Sequence, residues 1–259
     1  MPRAFVVLTV CAATAFGGLS LRAQSDGKPI AFEAASIKLD RSGEEAIGGG
    51  GTVGTEYRVT NIPARVLIEQ AYGVRQRSQL VGGPSWLSTD RFDIVGKMPR
   101  PDLSRMAMVR TLLAQRFKLV THTEARQLPI YALVVARNDR RLGPSVHPSN
   151  CVSGKQPDGK PCFMKPGFGS FSGTGVDIPR FITSSLASAV DRPIVDRTGL
   201  TGLFDIDLHW VADPTAVAAT TDAPDIFTAL QEQLGLKLEP TTGPVDVIVI
   251  DHVERPTEN

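Results

Sequence analysis

The sequence predicts an α+β protein: two duplicated units of mixed β-sheet with two helices each, joined by a disulfide-containing loop. Three observations predict it. Period-two strand signals alternate with three- and four-residue helix signals along the chain. Short motifs recur in the same order at nearly constant spacing. Two cysteines, Cys151 and Cys162, bracket a stretch rich in glycine and proline.

The recurrence is read from four matches. Asn61-Ile62-Pro63 matches Asp177-Ile178-Pro179 at offset 116, and Phe92-Asp93-Ile94 matches Phe204-Asp205-Ile206 at offset 112. Lys118-Leu119 matches Lys237-Leu238 at offset 119, and Pro129 matches Pro244 at offset 115. Offsets this similar indicate a repeated unit of about 115 residues, and a repeat fixes the architecture. The expected order in each unit is strand, helix, two strands, helix, two strands, with helices on one face of the sheet.

The elements follow in order. Phe32 to Leu39 alternates as a first strand, and Gly43 to Gly54 reads as a glycine-rich hairpin loop. Tyr57 to Thr60 is a strand. Asn61-Ile62-Pro63 then opens a helix to Gly73, with Asn61 expected as its cap. Gln79 to Val81 and Phe92 to Val95 are strands around the bend Gly82-Gly83-Pro84-Ser85-Trp86-Leu87. Asp102 is expected to cap a second helix, whose Met106, Val109, Leu113 and Phe117 form a core-facing stripe. Lys118 to Thr123 and Ile130 to Val135 read as two separate strands, and Arg140 to Gly175 as one long loop.

The pattern restarts at Asp177, which opens a helix carrying Phe181, Ile182 and Leu186. Asp191 to Trp210 holds two strand signals joined by a turn. Pro193 suits a strand's first position, and Thr198, Gly199, Thr201 and Gly202 suit the reversal. From Leu203 the chain alternates, with Phe204, Ile206, Leu208 and Trp210 on one face and Asp205, Asp207 and His209 on the other. Asp213 to Asp222 is a polar, alanine-rich insert. Asp225 caps a helix that Gly235 ends, and Lys237-Leu238 and Val245 to Val253 close the chain as strands.

Met1 to Ser25 reads as an export signal. Arg3 supplies the positive start, Ala4 to Leu21 is an uncharged run, and Ala23 offers a small residue at the cut. The alternatives are an uncleaved inner-membrane anchor and a lipoprotein at Cys11, where Val10 is too bulky for the site. Removing residues 1–23 takes away Arg3, Arg22 and no acid. Then 26 basic residues face 27 acidic ones, a charge of −1 that argues against a nucleic-acid partner. The expected location is the periplasm or the medium, with no membrane span once the signal is cleaved. There Cys151 and Cys162 are expected to pair. Closing so short a loop stabilises by about 2–3 kcal/mol in the entropy model. The domain reading is a signal at 1–23, a first repeat at 24–139, a linker loop at 140–175 and a second repeat at 176–259.

The chain carries no His-Glu-x-x-His, no Gly-x-Ser-x-Gly and no dinucleotide fingerprint. Both glycine-rich stretches lack the Lys of a phosphate cradle. Asp205, Asp207 and His209 project from one strand face at roughly 7 Å intervals. That is either a metal face or the solvated face of an outer strand, and the solvated face is the expectation. Asp207 and His209 fall opposite Val95 and Lys97 in the repeat, so the ligand pattern is not repeated. The binding candidates are Asp205, Asp207, His209, His252 and Trp86. No metal and no cofactor are expected.

Taken together, Phe32-Glu33-Ala34-Ala35-Ser36-Ile37-Lys38, Gly82-Gly83-Pro84-Ser85-Trp86-Leu87, Asp90-Arg91-Phe92-Asp93-Ile94, Leu112-Leu113-Ala114-Gln115-Arg116-Phe117, Asp196-Arg197-Thr198-Gly199-Leu200 and the ending from Val249 to Asn259 are distinctive. On these the chain resembles a soil-associated secreted family of unknown function, expanded in soil bacteria. The resemblance implies no catalytic residues. Some relatives are fused to membrane metalloprotease sensors, which implies sensing or binding in the envelope. Each half is also similar to the short periplasmic interaction modules of secretins and TonB-dependent receptors. The expected function is therefore a non-enzymatic binding, sensing or interaction module whose partner is an envelope protein or a cell-wall component. The alternative is an envelope hydrolase with a divergent, metal-dependent site.

Overall fold

Two short antiparallel sheets and one long ribbon organise the chain. The computed structural model describes residues 29–44, 46–212 and 223–257. The export signal and the insert at 213–222 lie outside them. Strands β1 (Ala34–Leu39), β2 (Gly48–Val53), β3 (Glu56–Pro63) and β5 (Arg91–Lys97) form the first sheet in the order β1-β5-β3-β2. Strands β7 (Val146–Pro148), β8 (Met164–Gly167), β9 (Ser170–Val176) and β11 (Phe204–His209) form the second in the order β7-β11-β9-β8. Element by element, the two orders correspond.

The correspondence extends to a bulge. Val59 and Ile62 face Ile94 and Phe92, so β3 carries one extra residue there. Gly173 and Val176 face Ile206 and Phe204 with the same excess. The residue before Ile62 is Asn61, at φ 55°, and the one before Val176 is Gly175, at φ 71°. Each donates its backbone N–H to a carboxylate on the neighbouring strand. Asn61 reaches Asp93 Oδ1 at 2.9 Å, and Gly175 reaches Asp205 Oδ1 at 3.1 Å. A bulge frees an N–H from the ladder, and the aspartate satisfies it.

The third sheet joins the halves. Strand β6 (Val120–Val135) and β12 (Leu236–His252) pair antiparallel along nearly their whole length. Short parallel strands flank them: β10 (Ile194–Asp196) on β6 and β4 (Leu80–Gly82) on β12. Each half's short strand thus pairs with the other half's long one. Pro129, Pro240 and Pro244 lie within this ladder, opposite Thr242, Tyr131 and Gln127. All share the parity at which Tyr131 turns its N–H outward to Pro193 O, at 2.9 Å. At such positions an antiparallel strand aims its N–H away from its partner. Proline there breaks no rung and leaves the outer edge without a donor, which guards it against foreign strands.

Helices cover the sheets. Helix α1 (Ala64–Tyr72) ends at Gly73 in the left-handed conformation, α2 (Trp86–Thr89) is one turn, and α3 (Arg105–Arg116) buries Met108, Val109, Leu112 and Leu113. Helix α4 (Ile178–Phe181) continues through a π turn at Ile182–Leu186 into α5 (Ala187–Ala189). Helix α6 (Ile226–Ala229) continues through a π turn at Leu230–Leu234 to Gly235. Two cores result. One holds Ile37, Tyr57, Leu67, Phe92 and Phe117 and takes Ile250 from β12. The other holds Phe171, Phe181, Leu208 and Leu230 and takes Leu133 from β6.

Several sequence expectations change. Gly48 to Val53 is a strand paired with β3; Gly48 and Gly49 lie so close to it that a Cβ would meet Thr60 Oγ1 at 2.4 Å and Arg58 O at 2.8 Å, whereas Gly50 and Gly51 face open space. Asn61 is no helix cap. It occupies the bulge, and its Nδ2 donates to Glu44 O and Ala46 O at 2.7 Å each, while Pro63 sits at the position just before α1. Ser104, not Asp102, caps α3 by accepting from Ala107 N. The strands expected at 118–123 and 130–135 are one strand, as are those at 237–238 and 245–253, since outward-facing prolines do not interrupt them. The stretch 140–175 is not one loop; it holds β7, β8 and the start of β9. By register, Asn61 corresponds to Gly175, two residues before the matched Asp177. Asp177 and Asp225 do cap their helices, accepting from Arg180 N and from Phe227 N and Thr228 N.

A side chain also bolts the halves together. The buried Gln76 donates from Nε2 to Ala187 O at 2.7 Å and Val190 O at 2.9 Å, closing the end of α5. Gln76→Ala leaves these carbonyls unsatisfied. The expected loss is about 1–3 kcal/mol, a fall in Tm of roughly 2–4 °C per kcal/mol for a chain of this size. Urea denaturation measures it, and an unchanged midpoint would remove this bolt from the account.

Candidate functional site

The candidate residues centre on β11. Phe204, Ile206 and Leu208 are buried and Asp207 and His209 exposed, so the alternation read from the sequence holds. Asp205 is half-buried and engaged by the Gly175 bulge. Asp207 Oδ1 lies 3.2 Å from His209 Nε2, with both side chains more than half exposed. An ion pair so placed is screened and contributes little. Gln233 clasps the His209 backbone, accepting from its N–H at 2.9 Å and donating to its carbonyl at 2.7 Å.

Around this strand lies a polar cleft of about 320 Å³. Ser145, His147, Ser172, Thr174, Asp205 and Asp207 line it. It unites Asp205 and Asp207 with His147, which the sequence did not single out. Its hydroxyls and carboxylates can hydrogen-bond a polar ligand. The other candidates do not join it. His252 ends β12 on a different sheet, with Nε2 at 2.9 Å from Glu254 Oε1. Trp86 is buried in the first core beneath the Arg255 guanidinium, 5.2 Å from its ring centre, and Arg255 is held by Asp90 Oδ2 at 2.8 Å. Among the described residues no group of three or more His, Cys, Asp or Glu is arranged to hold a metal ion.

A second cleft of about 350 Å³ lies beside the Gly175 bulge. Cys151 and Cys162 form a disulfide in its wall. Phe163, Met164, Val176 and Leu203 add apolar surface, and Arg180 and Asp177 add charge. The corresponding place in the first sheet is also a cleft, lined by Asp40, Arg41, Glu44, Asn61, Asp90 and Arg91. The correspondence is fixed by matched bonds: Asp40 N–H to Arg91 O and Ser149 N–H to Leu203 O, each 2.8 Å. In the first cleft the Asn61 side chain ties the preceding loop to the bulge. In the second, glycine leaves room and the disulfide occupies that room, because a Cβ on Gly175 would lie 2.5 Å from Cys151 Sγ.

The ribbon holds a further cluster that sequence reasoning missed. His122 Nδ1 lies 2.8 Å from Asp251 Oδ1, and Nε2 lies 3.7 Å from Glu124 Oε2. Glu124 also pairs with Arg126. The hydrogen bond to Asp251, aided by Glu124, raises the His122 pKa, and Arg126 foremost lowers that of Glu124. His122 and Asp251 are 129 residues apart. They meet only through the register of β6 on β12 and the irregularity between Ile250 and His252, so no local signal could reveal them.

A family model for proteins of unknown function (DUF3738) matches residues 65–253, and the chain belongs to that family. No curated protein and no solved structure matches the chain.

Two outcomes are expected here. Gly175→Ala forces a Cβ into a positive φ, at about 1–2 kcal/mol, and into the disulfide. Lower stability with titratable free thiol at Cys151 and Cys162 is the expected result; full oxidation with an unchanged midpoint would contradict it. His122 should titrate above the ordinary value near 6.5 by NMR, and Asp251→Asn should bring it down. A raised folded-state pKa contributes stability that is complete below the unfolded-state value and is lost as pH rises through the raised one. Any pH dependence from His122 should therefore favour the acid side of that window.

Proposed function

We propose that this chain is an exported envelope protein that binds a ligand or partner without transforming it, a sensing or interaction module made of two duplicated α+β units. The carrying observation is the pair of corresponding clefts. The same strand order, the same bulge and the same aspartate-to-N–H bond recur, yet the linings differ in charge and polarity. A frame kept constant while its cleft walls diverge suits a scaffold for recognition. On this reading the first unit begins near residue 24. The second takes in β7, β8 and β9, so the cysteine segment belongs to it and does not merely link the two. The disulfide supports an oxidising compartment outside the cytoplasm, in keeping with a signal at residues 1–23. No helix among the described residues is long and apolar enough to cross a membrane.

One observation favours the alternative of a divergent, metal-dependent envelope hydrolase: Asp205, Asp207 and His147 line one cleft. Against it, Asp205 is engaged by the Gly175 N–H and Asp207 lies beside His209.

Thermal shift on residues 24–259 separates the two. The ligands are peptidoglycan fragments, oligosaccharides, small organic acids and divalent metals with and without chelator, and the same mixtures are followed by mass spectrometry. A ligand near 100 times its Kd stabilises by about 2.7 kcal/mol, several degrees for a chain of this size. Stabilisation by an unaltered ligand is the expected outcome. A chelator-sensitive shift accompanied by product would replace the binding reading with the hydrolase.

A further inference from the structure

We infer that the cleft beside the disulfide binds a small amphipathic anion, with its apolar body against the Cys151–Cys162 bridge and its acid group at Arg180. The inference rests on the binding reading and adds a place and a ligand class to it.

The walls are apolar where the corresponding cleft is charged. Leu203 stands where the first sheet has Arg91, and Gly175 stands where it has Asn61. Phe163 and Leu203 remain 47% and 39% exposed at this cleft, Met164 is half-buried there, and the buried Val176 lies beneath them. Exposed apolar side chains gathered round a concavity gain by covering one another's solvent-facing area with a ligand. A volume of about 350 Å³ lies at the small end of ligand cavities, which suits one short chain or one or two rings.

Charge selects the head group. Arg180, on the exposed side of α4, lines the cleft. Its guanidinium makes no ion pair or hydrogen bond with another described side chain, whereas its backbone N–H is bonded to Asp177 Oδ1 at 2.7 Å. Asp177, the other charged wall residue, is thus engaged at the start of α4. A guanidinium offers paired N–H donors that match a carboxylate or sulfonate. Thr174 Oγ1, also in the wall, accepts from Phe163 N at 3.2 Å and so fixes the aromatic wall. The disulfide holds the 151–162 segment in place before any ligand arrives, which lowers the ordering cost of binding.

Titration with 1-anilinonaphthalene-8-sulfonate tests this, with N-phenyl-1-naphthylamine, the same ring system without the sulfonate, as the uncharged control. Decanoate and N-acetyl-leucyl-phenylalanine compete for the site and distinguish an acyl-chain source of the acid from a peptide-terminus source. Expected are saturable one-to-one binding of the sulfonate, weaker binding of the neutral control, and displacement by at least one of the acids. Arg180→Gln should weaken sulfonate binding about tenfold and the control little. Leu203→Asp should weaken both. Both residues are exposed, so the variants should melt like the parent. Saturable binding untouched by either variant would overturn this site and leave the binding reading standing. Equal loss of the charged and neutral probes in Arg180→Gln would overturn the role of charge. No saturable binding by any probe overturns the inference; no stabilisation in the wider ligand panel would remove the binding reading as well.

Discussion

The antiparallel pairing of β6 with β12 is the constraint on which the rest depends. It brings the last strand of each half against the other over sixteen register pairs. Once that ladder exists, β4 has an edge on β12 and β10 has an edge on β6, and each core gains an apolar residue from the opposite half. Neither half can close its core alone in this arrangement. Contacts across so long a sequence separation cost loop-closure entropy before they contribute. The prolines that spare the rungs and guard the outer edges answer the main hazard of a long, partly two-stranded ribbon.

The bulge carboxylates form the second constraint. Asp93 and Asp205 hold the N–H groups of Asn61 and Gly175 at positive φ, and the clefts open directly beside them. One half solves the anchoring of its preceding loop with an amide side chain, the other with a covalent bridge. The solutions exclude each other, because the side chain at 61 occupies the volume that the sulfurs fill beside 175. Choosing glycine at 175 thus places the disulfide, and the disulfide sets one wall of the apolar cleft.

Local order was readable where a local rule governs. The alternation from Phe204 to Leu208, the caps at Asp177 and Asp225 and the left-handed ends at Gly73 and Gly235 rest on neighbours within a few residues, and the Cys151–Cys162 pair spans only 11. The turn after β10 does too: Asp196 Oδ1 accepts from Thr198 N and Thr198 Oγ1 at 2.9 and 2.8 Å. Asn61 was misread because asparagine serves both as helix cap and as a positive-φ residue, and only the strand opposite decides between them. The glycine run at 48–51 was misread because bare backbone carries no periodicity; its pairing with β3 is what makes it a strand.

The candidate site divides the same way. Asp205, Asp207 and His209 were visible as one face of a strand, since period two is a property of the backbone itself. That Asp205 serves a bulge, that His147 shares its cleft, and that His252 and Trp86 lie elsewhere follow from how sheets assemble. By itself the sequence determined most helices and the strand faces that alternate, because these follow from short-range sterics and hydrophobic spacing. Tertiary structure alone decided strand register, the meeting of His122 with Asp251 129 positions away, and which walls enclose each cleft, because these join residues far apart in the chain and local propensity carries no information at that range.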